Sequence, residues 1–95
     1  MKYIINESKY LKLLDDYASE IFDISRMEQH KKVILFKNKE GFNVVVFDKA
    51  VRSISIDGEV DDVFLNLFGM EKEDYDKFII DWFDKTFGLK IGKVY

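Results

Sequence analysis

The alternation of apolar and polar positions divides this chain into strand-like and helix-like segments. Residues 2–5 read as a short first strand. Asn6 or Ser8 can cap a helix there, and Glu7 suits the positive end of its dipole. Leu11, Leu14, Ala18, Ile21 and Phe22 then recur at spacings of three and four, with Tyr10, Tyr17 and Ile24 widening the stripe. That spacing predicts an amphipathic helix over residues 7–25. Residues 25–32 are polar and basic and read as a loop.

Residues 33–36 form a continuous apolar run, as expected of a strand covered on both sides. Asn38 and Gly41 bracket a type I turn with a left-handed glycine, which closes a hairpin. In the second arm, Phe42, Val44 and Val46 should face one way, and Asn43, Val45 and Phe47 the other. After a turn at residues 48–50, Arg52, Ile54 and Ile56 alternate with Ser53 and Ser55. That pattern suits a half-buried strand at the edge of a sheet. Asp57 is a good N-cap, and Val60, Val63, Phe64, Leu67 and Phe68 fall on one helical face before Gly69. A last helix over residues 72–87 carries the stripe Tyr75, Phe78, Ile79, Trp82, Phe83 and Phe87, and Gly88 ends it. Leu89 is placed to close the hydrophobic contact of a Schellman cap. Residues 90–95 read as a last strand or a loose tail.

The order is therefore β-α-β-β-β-α-α, with room for a final strand. This is an α+β fold, a three-stranded antiparallel meander with helices on one face, in a single domain over residues 1–95. A 95-residue chain buries one modest core, and 9 Phe, 5 Tyr and 1 Trp supply large rings for it. Absence of Cys removes disulfides, thiolate metal sites and cysteine nucleophiles, and fits an intracellular setting. No apolar run approaches a membrane span of roughly 18 residues, and the start of the chain is too short for a signal peptide, so a cytoplasmic location is expected. Of the 15 basic residues only Arg26 and Arg52 are not Lys, and Pro is absent. With plentiful Ile, Asn, Phe, Tyr and Asp, this usage suggests AT-rich coding, as in a phage, a mobile element or an AT-rich bacterium.

Charge is segmented. Residues 26–52 carry seven basic side chains against three acids, whereas residues 57–84 carry ten acids against two lysines. The net charge of −3 conceals this contrast, which bears on partners and association.

Few residues invite catalysis. His30 reads as a solvated loop histidine beside Lys31 and Lys32, and no carboxylate is assigned to orient it. Asp57, Glu59, Asp61 and Asp62 superficially match a calcium loop, but Gly58 stands at the second position, and Leu67 and Phe68 fall where the last ligand belongs. They read instead as an N-cap and a helical first turn. The acids of the last helix sit opposite its aromatic stripe, as a solvated face does. Phosphate-binding glycine loops, nucleotide-binding fingerprints and zinc spacings are all missing. No catalytic residue, metal or cofactor is expected.

Three resemblances can be drawn. Residues 40–47, Glu-Gly-Phe-Asn-Val-Val-Val-Phe, resemble the RNP1 strand of an RNA-recognition motif, and Tyr3-Ile4-Ile5-Asn6 resembles RNP2. Glu40 replaces the basic residue before the glycine, however, Val44 stands where a stacking aromatic belongs, and an extra strand precedes the next helix. The opening ten residues look like the start of many small phage proteins. The whole layout, a helix, a meander with a polar-Gly turn and two acidic helices, resembles small acidic phage anti-CRISPR proteins. That likeness is architectural, and no motif residues carry over.

The resulting expectation is a non-enzymatic protein–protein interaction module, of the kind a phage uses to inhibit a host defence protein. Its working surface would be the acidic face formed by Asp61, Asp62, Glu73, Asp74 and Asp76, imitating nucleic-acid phosphate or docking on a basic protein. The alternatives are a small accessory subunit that self-associates or joins a larger assembly, and a nucleic-acid binder using Lys31, Lys32, Lys37, Lys39 and Arg52 around the hairpin. Net acidity and the lack of an arginine cluster count against the last.

Overall fold

A computed structural model describes residues 7–95, with side chains from Lys9 onward. The strand expected at residues 2–5 and the caps at Asn6 and Ser8 lie outside the described part. From there the order is α1 (Glu7–Ile21), a 3-10 turn (Ile24–Arg26), β1 (Met27–Gln29), β2 (Val33–Lys37), β3 (Asn43–Asp48) and β4 (Ser53–Ile56). These are followed by α2 (Gly58–Asp62), a π-helical turn (Val63–Leu67), α3 (Lys72–Phe87) and β5 (Lys93–Val94). The α+β class holds. The sheet is larger than a meander: five strands in the order β1-β2-β3-β4-β5, antiparallel except for the parallel β4–β5 pair.

The added strand β1 lies in the segment read as a loop. It pairs with β2 through Met27↔Phe36, Glu28↔Leu35 and Gln29↔Ile34. Three polar-flanked residues carry no periodicity of their own, so tertiary contacts create this strand. Arg26 supplies them. Its Nε donates to the Lys37 carbonyl at 2.9 Å, and one terminal nitrogen donates to the Glu20 carbonyl at 2.8 Å. Asp23 accepts from the Ser25 N–H at 2.8 Å and its hydroxyl at 2.7 Å, fixing the 3-10 turn that brings Arg26 round. The end of α1, the turn and the end of β2 are thus stitched by one guanidinium, whose rigid fork suits several acceptors at once.

The β2–β3 hairpin forms as its turn residues require. Gly41 has φ +89°, and Asn38 Oδ1 accepts from the N–H groups of Glu40 and Phe42, each at 3.0 Å. A bulge breaks the register next to Lys37, and it overturns the simple alternation expected of β3. Val44 and Val45 are both buried, while Phe42 is 70% exposed. Two further expectations are corrected. Only Ile34 and Phe36 of β2 are fully buried, with Val33 and Leu35 half-exposed on the opposite face, so β2 is covered on one side. β4 is interior to the sheet, and Arg52 precedes it in a turn with φ +54°. Asp48 Oδ1 holds that turn by accepting from the Ala50 N–H at 2.9 Å.

The core lies between one face of the sheet and helices α1 and α3. Ile34, Phe36, Val45, Phe47, Ile54 and Ile56 share that face through the pairings Ile34↔Phe47, Phe36↔Val45, Val45↔Ile56 and Phe47↔Ile54. Rings from the helices close over it: Phe83 and Phe87 pack on Phe36 with centroids 5.6 and 5.2 Å apart, and Phe22 packs on Trp82 and Phe83. A second cluster centres on fully buried Phe64, which meets Tyr17, Tyr75 and Phe78. Such offset and edge contacts add about 0.5–1.5 kcal/mol per pair beyond area burial.

The helix expected after β4 winds differently from its pattern. After α2 it widens, and the Phe68 N–H bonds the Val63 carbonyl five residues back at 3.0 Å. The wider turn brings both Phe64 and Phe68 against Tyr17, at 5.1 and 5.6 Å, and turns Leu67 outward to 77% exposure. Asp57 sits at the N-cap position but its side chain makes no capping bond. At the end of α3, Gly88 is left-handed with φ +68°, and the N–H groups of Gly88 and Leu89 return to Asp84 and Phe83.

Candidate acidic surface

The acids of residues 57–76 gather where α2 and α3 begin, at the carboxyl end of β4. Contact between Tyr75 and Asp61 joins the two helices: the buried Tyr75 hydroxyl donates to Asp61 Oδ1 at 2.5 Å. Burial pushes the Asp61 carboxyl above the usual range, against the opposing effects of the Tyr75 hydroxyl and Lys72. Burial also pushes the Tyr75 phenol well up, with Asp61 adding to the effect. Asp61 is therefore a structural acceptor in the joint between α2 and α3.

The other four expected acids separate into two kinds. Asp76 pairs with Lys72 at 2.5 Å, four residues away on the same helix face. Asp62, Glu73 and Asp74 are exposed, and no described cation lies within ion-pair distance of them. Glu73 and Asp74 also stand in the first turn of α3, where the helix dipole favours negative charge. The free acidic surface thus reduces to Asp62, Glu73 and Asp74, flanked by Glu59 and Glu71.

Beside it runs an open cleft of about 650 Å³ between α1 and the first half of α3. Leu11, Leu14, Met70 and Phe78 give it an apolar floor, and Glu71, Asp74 and Asp81 an acidic rim with Lys77 among them. Tyr10 stands at its end, donating its hydroxyl to the Phe68 carbonyl at 2.9 Å. Burial raises the Tyr10 phenol, and Asp74 raises it further. By periodicity both Leu11 and Leu14 belong to the core stripe of α1. In the fold Leu14 is buried but Leu11 is 52% exposed along this cleft.

The basic set does not form one patch. Lys37 is tied to Glu28 at 2.6 Å on the open face of the sheet, and Lys39 lies in the β2–β3 turn. Lys31, Lys32 and Arg52 lie at the other end of the strands. His30 does have a carboxylate neighbour, with Nε2 at 3.4 Å from Glu28. Lys37, then His30, hold the Glu28 carboxyl below the usual range. His30, Glu28 and Lys37 thus form an ion cluster on the surface.

Sequence reading missed two polar contacts, Tyr75–Asp61 and the Trp82 indole N–H donating to Asp15 Oδ1 at 2.8 Å. The second joins positions 67 residues apart, and no local pattern signals it. Among the described residues no helix is long and apolar enough to cross a membrane. No protein family, characterised protein or solved structure matches the chain.

Proposed function

We propose that this protein is a non-enzymatic binding module that docks a basic protein partner on the acidic surface formed by α2 and α3. One observation carries this reading. Asp62, Glu73 and Asp74 are exposed and free of described cations, and Asp74, with Glu71, lines a cleft with an apolar floor. Complementary charge steers encounter and fixes register, while an apolar floor supplies the burial that charge alone does not. The partner's contact would present Lys or Arg around one or two apolar side chains. Within this class, the acidic layout favours an inhibitor that covers the nucleic-acid-binding groove of a basic protein, the role played by small phage anti-defence proteins. Encoding by a phage and action in a host cytoplasm belong to the same proposal.

The test is capture of partners from a host lysate by the wild-type chain and by an Asp62→Lys, Glu73→Lys, Asp74→Lys variant. Reversing Glu73 and Asp74 in the first turn of α3 should cost about 0.3–1 kcal/mol each, a loss the fold should tolerate, and circular dichroism checks that the variant remains folded. With the captured partner, stopped-flow association should slow on the order of tenfold or more at low salt, and its salt dependence should flatten. Equal rates for both chains would mean that the acids are only a solvated surface.

A further inference from the structure

Lys31, Lys32, Lys49, Arg52 and Lys93 come from three separate stretches of sequence and meet at one end of the sheet. The topology brings them together. The turns before β2 and before β4 lie at the same end, because Val33 pairs with Asp48 and Asp48 with Ser53. The Lys49 N–H bonds the Lys32 carbonyl at 3.0 Å, and Lys49 Nζ donates to the His30 carbonyl at 2.6 Å, tying the two turns together. β5 adds the fifth cation, since the Gly92 N–H bonds the Arg52 carbonyl at 2.7 Å and Ser53 pairs with Lys93.

All five side chains are exposed, and no carboxylate among the described residues lies within ion-pair distance of any of them. Asp48, at the end of β3 beside the turn before β4, has its carboxylate engaged by the Ala50 and Val51 N–H groups. Of the lysines elsewhere, Lys12, Lys72 and Lys85 each pair with an acid four residues away, Lys37 pairs with Glu28 and Lys90 with Asp84, whereas Lys39 and Lys77 make no described ion pair but stand singly. The acidic surface starts at the other end of β4, about 13 Å along a four-residue strand and beyond a Debye length of about 8 Å. The local field at the basic end is therefore positive, although the chain is acidic as a whole.

The cations also form a line. They sit at the ends of the adjacent strands β2, β3, β4 and β5, and three interstrand spacings of about 4.8 Å give a row roughly 14 Å long. A row of point charges suits a linear polyanion better than a single phosphate. Tyr95 stands two residues on from Lys93, just past β5, 59% exposed, with Lys93 Nζ 4.7 Å from its ring centre. An exposed ring beside a cationic track is how sequence-tolerant single-strand binders hold bases and backbone together. We infer that this end of the sheet binds the phosphate backbone of a single-stranded nucleic acid, with Tyr95 stacking on a base. The site is separate from the acidic surface and stands or falls independently of it.

Fluorescence anisotropy with labelled single strands of about 12 nucleotides, one DNA and one RNA, tests this. The full chain should bind at least one of them, with affinity falling steeply between about 50 and 200 mM salt. The variant Lys49→Gln, Arg52→Asn, Lys93→Gln should bind more weakly, and its log–log salt slope should be shallower by about 2, from about 0.7 per lost contact. Asparagine is chosen because it tolerates the left-handed backbone at position 52. A control with the same change in net charge, Lys12→Gln, Lys85→Gln, Lys90→Gln, should keep the wild-type slope. Tyr95→Ala should lower affinity without changing the slope. Should circular dichroism show the Arg52 variant unfolded, Lys31→Gln, Lys32→Gln, Lys93→Gln replaces it with the same expected slope. Failure to bind either strand, or equal weakening by the control, would overturn the inference. So would binding as tight to a duplex or to polyphosphate. An oligomer in sedimentation that the basic-end variant dissolves would assign this surface to a second copy of the chain instead.

Discussion

Replacing Asp61 by alanine should destabilise the fold by about 1–2 kcal/mol, whereas asparagine should leave it within about 0.5 kcal/mol. The difference rests on one hydrogen bond. The Tyr75 ring is buried against Phe64, and its hydroxyl donates to Asp61 Oδ1. Alanine leaves that hydroxyl without its acceptor, a loss of about 1–3 kcal/mol for a buried group. Asp61 is itself only half-buried, so water can partly replace it, which sets the lower part of that range. Asparagine keeps an acceptor oxygen in place and removes a carboxylate whose charged form burial disfavours. With a urea slope near the lower end of about 1–3 kcal/mol per molar, the alanine effect appears as a midpoint shift of about 1 M at unchanged slope. A double-mutant cycle with Tyr75→Phe should return a coupling of about 1 kcal/mol. The pH dependence follows from the raised Asp61 pKa. Its burial cost is fully present above the folded-state pKa, fades as pH falls through it, and is absent below the unfolded-state value. Any stability advantage of Asp61→Asn over wild type should therefore shrink on acidification through the carboxylate range. If alanine and asparagine shift the urea midpoint equally, Tyr75 does not depend on Asp61, and the joint between α2 and α3 is held by packing alone.

Two more outcomes can be measured on the same curves. Trp82→Ala should cost on the order of 3–5 kcal/mol, because it removes a buried ring from among Phe22, Phe83 and Phe87 and frees the Asp15 acceptor; a midpoint that barely moves would show that the ring contributes little to the core. Gly41→Ala should cost about 1 kcal/mol from the left-handed backbone alone, since a methyl group there meets no atom within 4 Å; unchanged stability would mean that the turn relaxes to another geometry.

The α+β class, the bodies of α1 and α3, the hairpin with its positive-φ Gly41, and the glycine stops at Gly69 and Gly88 were all legible in the order of residues. These follow from interactions within a few residues: helical periodicity, turn chemistry and the backbone freedom of glycine. The tertiary structure decided everything that depends on distant neighbours. β1 and β5 are two or three residues long, too short for a pattern, and exist because β2 and β4 offer them unpaired backbone edges. The bulge beside Lys37 put Val44 and Val45 on the core together, and the π turn sent Leu67 outward, each against the regular period. The surfaces were decided in the same way. Segment charge marked residues 57–84 as acidic, but only the fold took Asp61 and Asp76 out of the free set by giving them Tyr75 and Lys72. Likewise the fold dispersed Lys37 and Lys39 and collected Lys49 and Lys93 beside Arg52, because strand pairing, not sequence proximity, sets which charges share a field.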